Sequence, residues 1–283
     1  MFKIVADSSC DLIFPKGSRE DSLFRKVPLT IISQTKNYID DGTLDGAAMM
    51  AELSAEGGRT STACPAPGAW EQAFEGADEI FALTITSKLS GSYNSARVAR
   101  ENWLETHPNV QIHLIDTLSC GSEISLLVIR LIELIGQGLS FDEICAEIEK
   151  YRQGTGLLFM LNSLENLIRN GRVSRMAGAA ARLLNINIIG RASEEGEFQI
   201  VHKVRRSARV YSQVFDEMIR RGYDGGKVIL SHCVNPEGAA CLRALIREAF
   251  KNADVTIMPA GGLCSFYAEI GGLLIGFEHA SPA

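Results

Sequence analysis

Apolar and polar positions fall in alternating blocks along the chain. Residues 2–6 form a short apolar run that ends on the polar cluster Asp7, Ser8 and Ser9, the pattern of a buried strand running into a loop. Comparable runs at 29–33, 80–86, 110–116, 156–161, 186–190, 198–204, 228–232 and 255–258 predict further strands. Between them, apolar residues three and four apart predict helices over 44–56, 70–74, 92–105, 123–137, 141–152, 208–221 and 237–250. Strands alternating with helices predict α/β layers on mostly parallel strands.

Two features divide the pattern. The strands of the first half end on small hydroxyls, Ser8 and Ser9, Thr86 and Ser87, Thr117 and Ser119, and in an open parallel sheet those ends line the crevice where ligands bind. In the second half the turn sequence 193–197 joins two apolar runs and reads as a hairpin. The boundary is placed near Gly154, giving domains over 1–154 and 155–283. The 283-residue length supports two domains.

Composition narrows the function classes. With 46% hydrophobic and 22% charged residues the chain is that of a folded globular protein. Its 28 basic and 34 acidic residues leave a net charge of −6, which argues against a broad cationic face for nucleic acid or anionic lipid. The start lacks a basic segment and a long apolar core, so a cytoplasmic protein is expected. No apolar run reaches the roughly 20 residues of a transmembrane segment. The seven cysteines form no CxxC pair and the five histidines never fall four apart, so neither a metal nor a cofactor is expected.

Several segments could carry chemistry. Over 60–68, Pro65 and Pro67 define a loop whose hydroxyls and amides can face a ligand, although Thr62 could equally cap the following turn. Ser90 and Gly91 precede a helix, where unpaired amides and a partial positive charge suit a carboxylate or phosphate; a simple capping role for Ser90 fits as well. Residues 164–175 read as a helix stopped by Gly171, with Ser174 opening another over 175–184. Arg169, Arg172, Arg175 and Arg182 make this stretch either a solvated basic edge or a patch for an acidic partner. Arg205 and Arg206 end a strand on opposite faces. Residues 261–272 are flanked by glycines that would let backbone approach a ligand closely. There is neither a Walker A motif nor a GxSxG elbow. An enzyme reading would be a thiol or serine hydrolase using Cys64 or Ser90 with His232.

Taken in order, these segments resemble the DegV family of bacterial fatty-acid-binding proteins, the acyl-carrier subunits of fatty acid kinase. Asp7-Ser8-Ser9 followed by Asp11 is similar to its opening motif, and 62–67 to its T-S-x-P-x-P loop. Residues 87–96, SKLSGSYNSA, nearly reproduce its S-K-L-S-G-T-Y-x-S-A signature. Asp116-Thr117, 164–172 and 203–205 match further landmarks in order and spacing.

The resemblance implies a Rossmann-like first domain, a smaller α/β second domain, and an acyl chain such as palmitate, stearate or oleate in a tunnel between and within them. It implies a carboxylate held by Thr62 and Ser90 with the Gly91 amide nearby, and a surface around Arg205 and Arg172 for a kinase that phosphorylates the bound acid with ATP. The carrier itself would do no chemistry. Three positions depart from the family: Tyr267 stands where it has a histidine, Ala63 where it has a serine, and 120–123 where it has a glycine-rich helix start. A phenol offers one donor but no positive charge at neutral pH. For such a ligand, about 14 buried methylenes at about 0.8 kcal/mol each give about 11 kcal/mol before ordering costs. Carboxylate contacts of about 1.5–3 kcal/mol each mainly set orientation.

Overall fold

The structure is a computed structural model that describes residues 1–173, 185–205 and 207–280. Three sheets organise it. The first, in the order β2-β1-β6-β7, comprises β1 (Phe2–Asp7), β2 (Phe24–Val27), β6 (Glu79–Thr84) and β7 (Gln111–Asp116), all parallel. Alternation along β1 and β6 sends Val5 and Ile80 to the core made with Trp70 and Phe74 of the helix Pro67–Phe74. Ile4 and Phe81 point the other way, onto Leu127 and Ile144 of the helices Ser122–Gly136 and Phe141–Arg152. Covered on both faces, these strands read as continuous apolar runs.

The second sheet has the order β10-β9-β8-β13-β11-β12. Its strands are β8 (Thr155–Leu161), β9 (Ile186–Ala192), β10 (Phe198–Arg205), β11 (Val228–His232), β12 (Val255–Pro259) and β13 (Leu273–Glu278). The mostly parallel pairing expected from the sequence holds here only for β11 with β12; β9–β10 is the hairpin expected over 186–204, and β9 beside β8 and the return of β13 between β8 and β11 are antiparallel as well. One face, with Leu158, Met160 and Leu230, packs on the helices Arg209–Arg220 and Pro236–Ala249. The other, with Leu157, Phe159, Leu161 and Leu274, looks toward the first half of the chain.

A third sheet, β4-β3-β5, consists of β3 (Thr30–Ile32), β4 (Asn37–Ile39) and β5 (Ser61–Ala63), three residues each. Ser122, at the start of the helix Ser122–Gly136 that packs on the first sheet, ties that helix to the second sheet, its Oγ lying 2.9 Å from both the Leu274 carbonyl and Ser231 Oγ. The helix expected from 164 ends at Arg169, before Gly171 at φ +74°. The helix expected over 175–184, with Arg175 and Arg182, lies outside the described residues, as does Arg206.

Candidate functional site

Three segments converge between the large sheets, each fixed by buried polar contacts. β5 runs antiparallel to β3 and sets Thr62 opposite Ile31. The prolines then carry the chain to the helix Ser92–Thr106, where Ser95 Oγ donates to the Pro65 carbonyl at 2.5 Å. The Ser90 loop hangs on the fully buried Asp7, whose Oδ2 accepts from Ile85 N at 2.9 Å and Ser92 Oγ at 2.6 Å. Burial drives the Asp7 carboxyl above the usual carboxylate range, an effect its bonds from Ser9, Ser92 and Ile85 oppose. The third segment is the helix Gly262–Ala268. Asp40 accepts from the backbone of Gly262 and Leu263 at 2.9 and 2.8 Å, and Asp11 from Gly261 N at 2.8 Å. These bonds occupy amides at the open start of the helix that carries Tyr267.

The segments enclose a slim cavity. Counted out to its open side, the space between its atoms amounts to about 640 Å³. Most of its wall is apolar, including Leu29, Ile85, Phe159, Leu167 and Phe198. Polar groups gather in one set. Thr62 Oγ1 and Tyr267 Oη lie 2.8 Å apart. Ser90 Oγ accepts from Ser92 N at 3.2 Å, which leaves its O–H free to donate. Arg172 gives its Nε–H to the Leu89 carbonyl at 3.1 Å and holds its guanidinium carbon 6.0 Å from the centre of the Tyr267 ring. Burial raises the Tyr267 pKa, with Thr62 and Arg172 pulling it back in part, so the phenol stays a neutral donor. Leu89, Cys120, Phe159 and Phe198 also border a smaller void of about 190 Å³ beside the cavity.

Thr62, Ser90, Tyr267 and Arg172 thus line one cavity. Thr62 caps no turn: the helix after the prolines starts at Pro67 with no side-chain cap. Gly91, not Ser90, is the N-cap residue of the helix Ser92–Thr106; it is exposed, and a Cβ there would sit 3.2 Å from Cys64 Sγ. Arg205 is exposed at the end of β10 and takes no part in the lining. Of the six hydroxyls expected to face a crevice, three serve the backbone and two bond carboxylates: Ser8 accepts from Leu29 N at 2.9 Å, Thr86 from Lys88 N at 3.2 Å, Thr117 donates to the Thr84 carbonyl at 2.7 Å, and Ser9 and Ser119 donate to Asp7 and Glu123. His232 does not line the cavity; its Nδ1 receives Asn235 N–H at 3.4 Å, and burial lowers its pKa. The geometry therefore supplies neither Cys64 nor Ser90 with a base from His232. Among the described residues no group of three or more His, Cys, Asp or Glu could hold a metal ion, and no helix is long and apolar enough to cross a membrane. Of the three carboxylates that hang the site, Asp7 and Asp11 belong to the opening motif, whereas Asp40 escapes a reading of the sequence, since nothing in its local pattern points to partners more than 200 residues away.

Comparison with known proteins agrees with this geometry. A family model described as an uncharacterised protein of the DegV family matches residues 1–279. A DegV domain-containing protein of Streptococcus gordonii is 46% identical over 277 residues, covering 98% of this chain and 99% of the relative. The Streptococcus pneumoniae Fatty Acid Kinase (Fak) B3 protein, solved loaded with linoleic acid, superposes with a TM-score of 0.95 at 44% identity, covering 99% of both chains. A DegV family protein from Eubacterium eligens loaded with heptadecanoic acid gives 0.93 at 39% identity, covering 99% of this chain and 100% of the other. With its six quoted sequence landmarks, its whole-chain match and these neighbours, the chain belongs to the DegV family.

Proposed function

We propose that this protein binds a long-chain fatty acid, such as palmitate, stearate or oleate, along the slim cavity, as a carrier and not a catalyst. The observation that carries the reading is the hydroxyl pair Thr62 and Tyr267, grouped with Ser90 and Arg172 in an otherwise apolar tunnel. Such a tunnel suits an unbranched chain, and its hydroxyl donors suit a carboxylate. In this reading Thr62, Ser90, Tyr267 and the Gly91 amide take the carboxylate, and Arg172 offsets its charge. The linoleic and heptadecanoic acids of the two structural relatives support the class of ligand.

The acid is then presented, in the cytoplasm where ATP is at hand, to a fatty acid kinase docking around Arg205 and Arg172. The kinase name borne by the pneumococcal relative supports this step. The chain works as two domains, 1–154 and 155–283, with the acid between them. Mass spectrometry of lipid extracted from protein purified out of a bacterial host tests the core of the proposal. Recovery of a long-chain acid in near-stoichiometric amount is expected. Lipid-free protein that also fails to bind labelled palmitate or oleate would remove it.

A further inference from the structure

A small void lies between the cavity and the opposite surface of the protein, sharing lining residues with each. Leu118, Leu157 and Ala192 border the void, and the same three residues border an open cleft on the other side. That cleft is charged, with Glu194, Arg152 and Arg221 in its lining. An apolar compartment and a polar one thus share a partition. Leu118 is its most constrained member: it sits in the left-handed region at φ +53°, where a branched side chain is uncommon. Asp116 holds it there, one carboxylate oxygen accepting from Leu118 N at 3.2 Å and from Ser87 N at 3.1 Å. The turn of the β9–β10 hairpin closes over it. Gly196, at φ +80°, approaches so closely that a Cβ would lie 3.1 Å from the Leu118 Cβ and collide with the Thr86 hydroxyl.

We propose that Leu118, with Ala192, sets the longest acyl chain the tunnel accepts. The inference rests on the fatty-acid reading of the cavity. Each methylene added inside the apolar tunnel raises affinity about fourfold. A methylene beyond the partition meets charged, hydrated groups and gains nothing comparable, so affinity rises with chain length only until the terminal methyl reaches Leu118. Trimming that side chain moves the stop outward, and enlarging Ala192 moves it inward.

The test is displacement of a dansyl-labelled fatty acid by the series of saturated acids from laurate to lignocerate, on wild type, Leu118→Ala and Ala192→Leu. Wild type is expected to show an optimum length. Leu118→Ala should shift that optimum up by at least one two-carbon step, with about a tenfold gain for the first acid beyond the wild-type optimum. Ala192→Leu should shift it down. Leu118→Gly, which relaxes the left-handed backbone while removing the side chain, serves if Leu118→Ala does not fold. An unchanged optimum in variants that still bind the acids overturns the role of the partition and leaves the fatty-acid reading standing. Failure of wild type to bind any acid of the series would instead sink both.

Discussion

Thr62 and Tyr267 stand 205 positions apart in sequence and 2.8 Å apart at their hydroxyl oxygens. One of the two protons is spent on their mutual bond, so the pair offers one free O–H to the cavity, and Ser90 offers a second. Neither donor carries charge. Arg172, beside the Tyr267 ring, is the cation of the group, which separates positioning of a carboxylate from neutralising it.

Hydroxyl donation to a carboxylate predicts that Thr62→Val, Ser90→Ala and Tyr267→Phe each weaken fatty-acid binding by about tenfold or more, since a hydrogen bond to a charged group exceeds the 1.4 kcal/mol of one decade. Thr62→Val combined with Tyr267→Phe should cost less than the product of the single losses, because the two residues share a bond. Titration calorimetry with oleate reads all four variants. Unchanged affinity throughout would move the carboxylate elsewhere.

The phenol at 267 predicts a flat response of binding to pH between about 5.5 and 8.5, because burial holds its pKa above the usual tyrosine value. Tyr267→His should replace this with a titration: an imidazolium attracts the carboxylate, so affinity should climb as pH falls through about 6.5. A flat profile for the histidine variant would show that position 267 does not face the carboxylate.

Glu123 predicts a pH dependence of stability. Its carboxyl is buried at the start of the helix Ser122–Gly136, and burial holds its pKa above the usual range, opposed by bonds from Ser119 at 2.5 Å and Thr155 at 2.8 Å. The folded state therefore keeps a proton that the unfolded chain releases. The stability this confers is present at low pH and is lost as pH rises from about 4.3 toward the raised folded value. Glu123→Gln should unfold at a higher temperature than wild type at pH 8, with the difference shrinking toward pH 5. A constant difference across that range would show that Glu123 is ionised in the fold.

Arg205 and Arg172 should separate docking from binding. Arg205, exposed at the end of β10, is expected to leave oleate affinity intact when changed to Ala while slowing acyl-phosphate formation by a fatty acid kinase. Arg172→Ala should weaken oleate binding directly, since its side chain borders the cavity. Equal losses of both activities in Arg205→Ala would assign that residue to the pocket.

The core strands and long helices were legible because burial on both faces writes continuous apolar runs, and helix Phe141–Arg152 even carries the Ser140–Glu143 capping box at its start. The small sheet was half hidden: β4 and β5 have three residues each, too few for a period to show, and β5 carries Thr62. β13, with the run LLIGFE, was passed over beside its glycine-rich neighbour, and with it the antiparallel character of the second sheet. Thr62 and Ser90 could be singled out from local loop chemistry. Their meeting with Tyr267 and Arg172 could not, because pairing across 205 positions leaves no periodic trace.

The bonds from Gly261, Gly262 and Leu263 to Asp11 and Asp40 also bear on when the site can exist during synthesis. A nascent chain that has emerged through β7 already owns every strand of the parallel sheet and both loops with Thr62 and Ser90. It still lacks the helix that carries Tyr267, and β8 and β13, which supply Phe159 and Leu274 to the cavity wall. Contacts of such long range are late to close. The cavity wall is therefore finished only after the helix Gly262–Ala268 and β13 have left the ribosome.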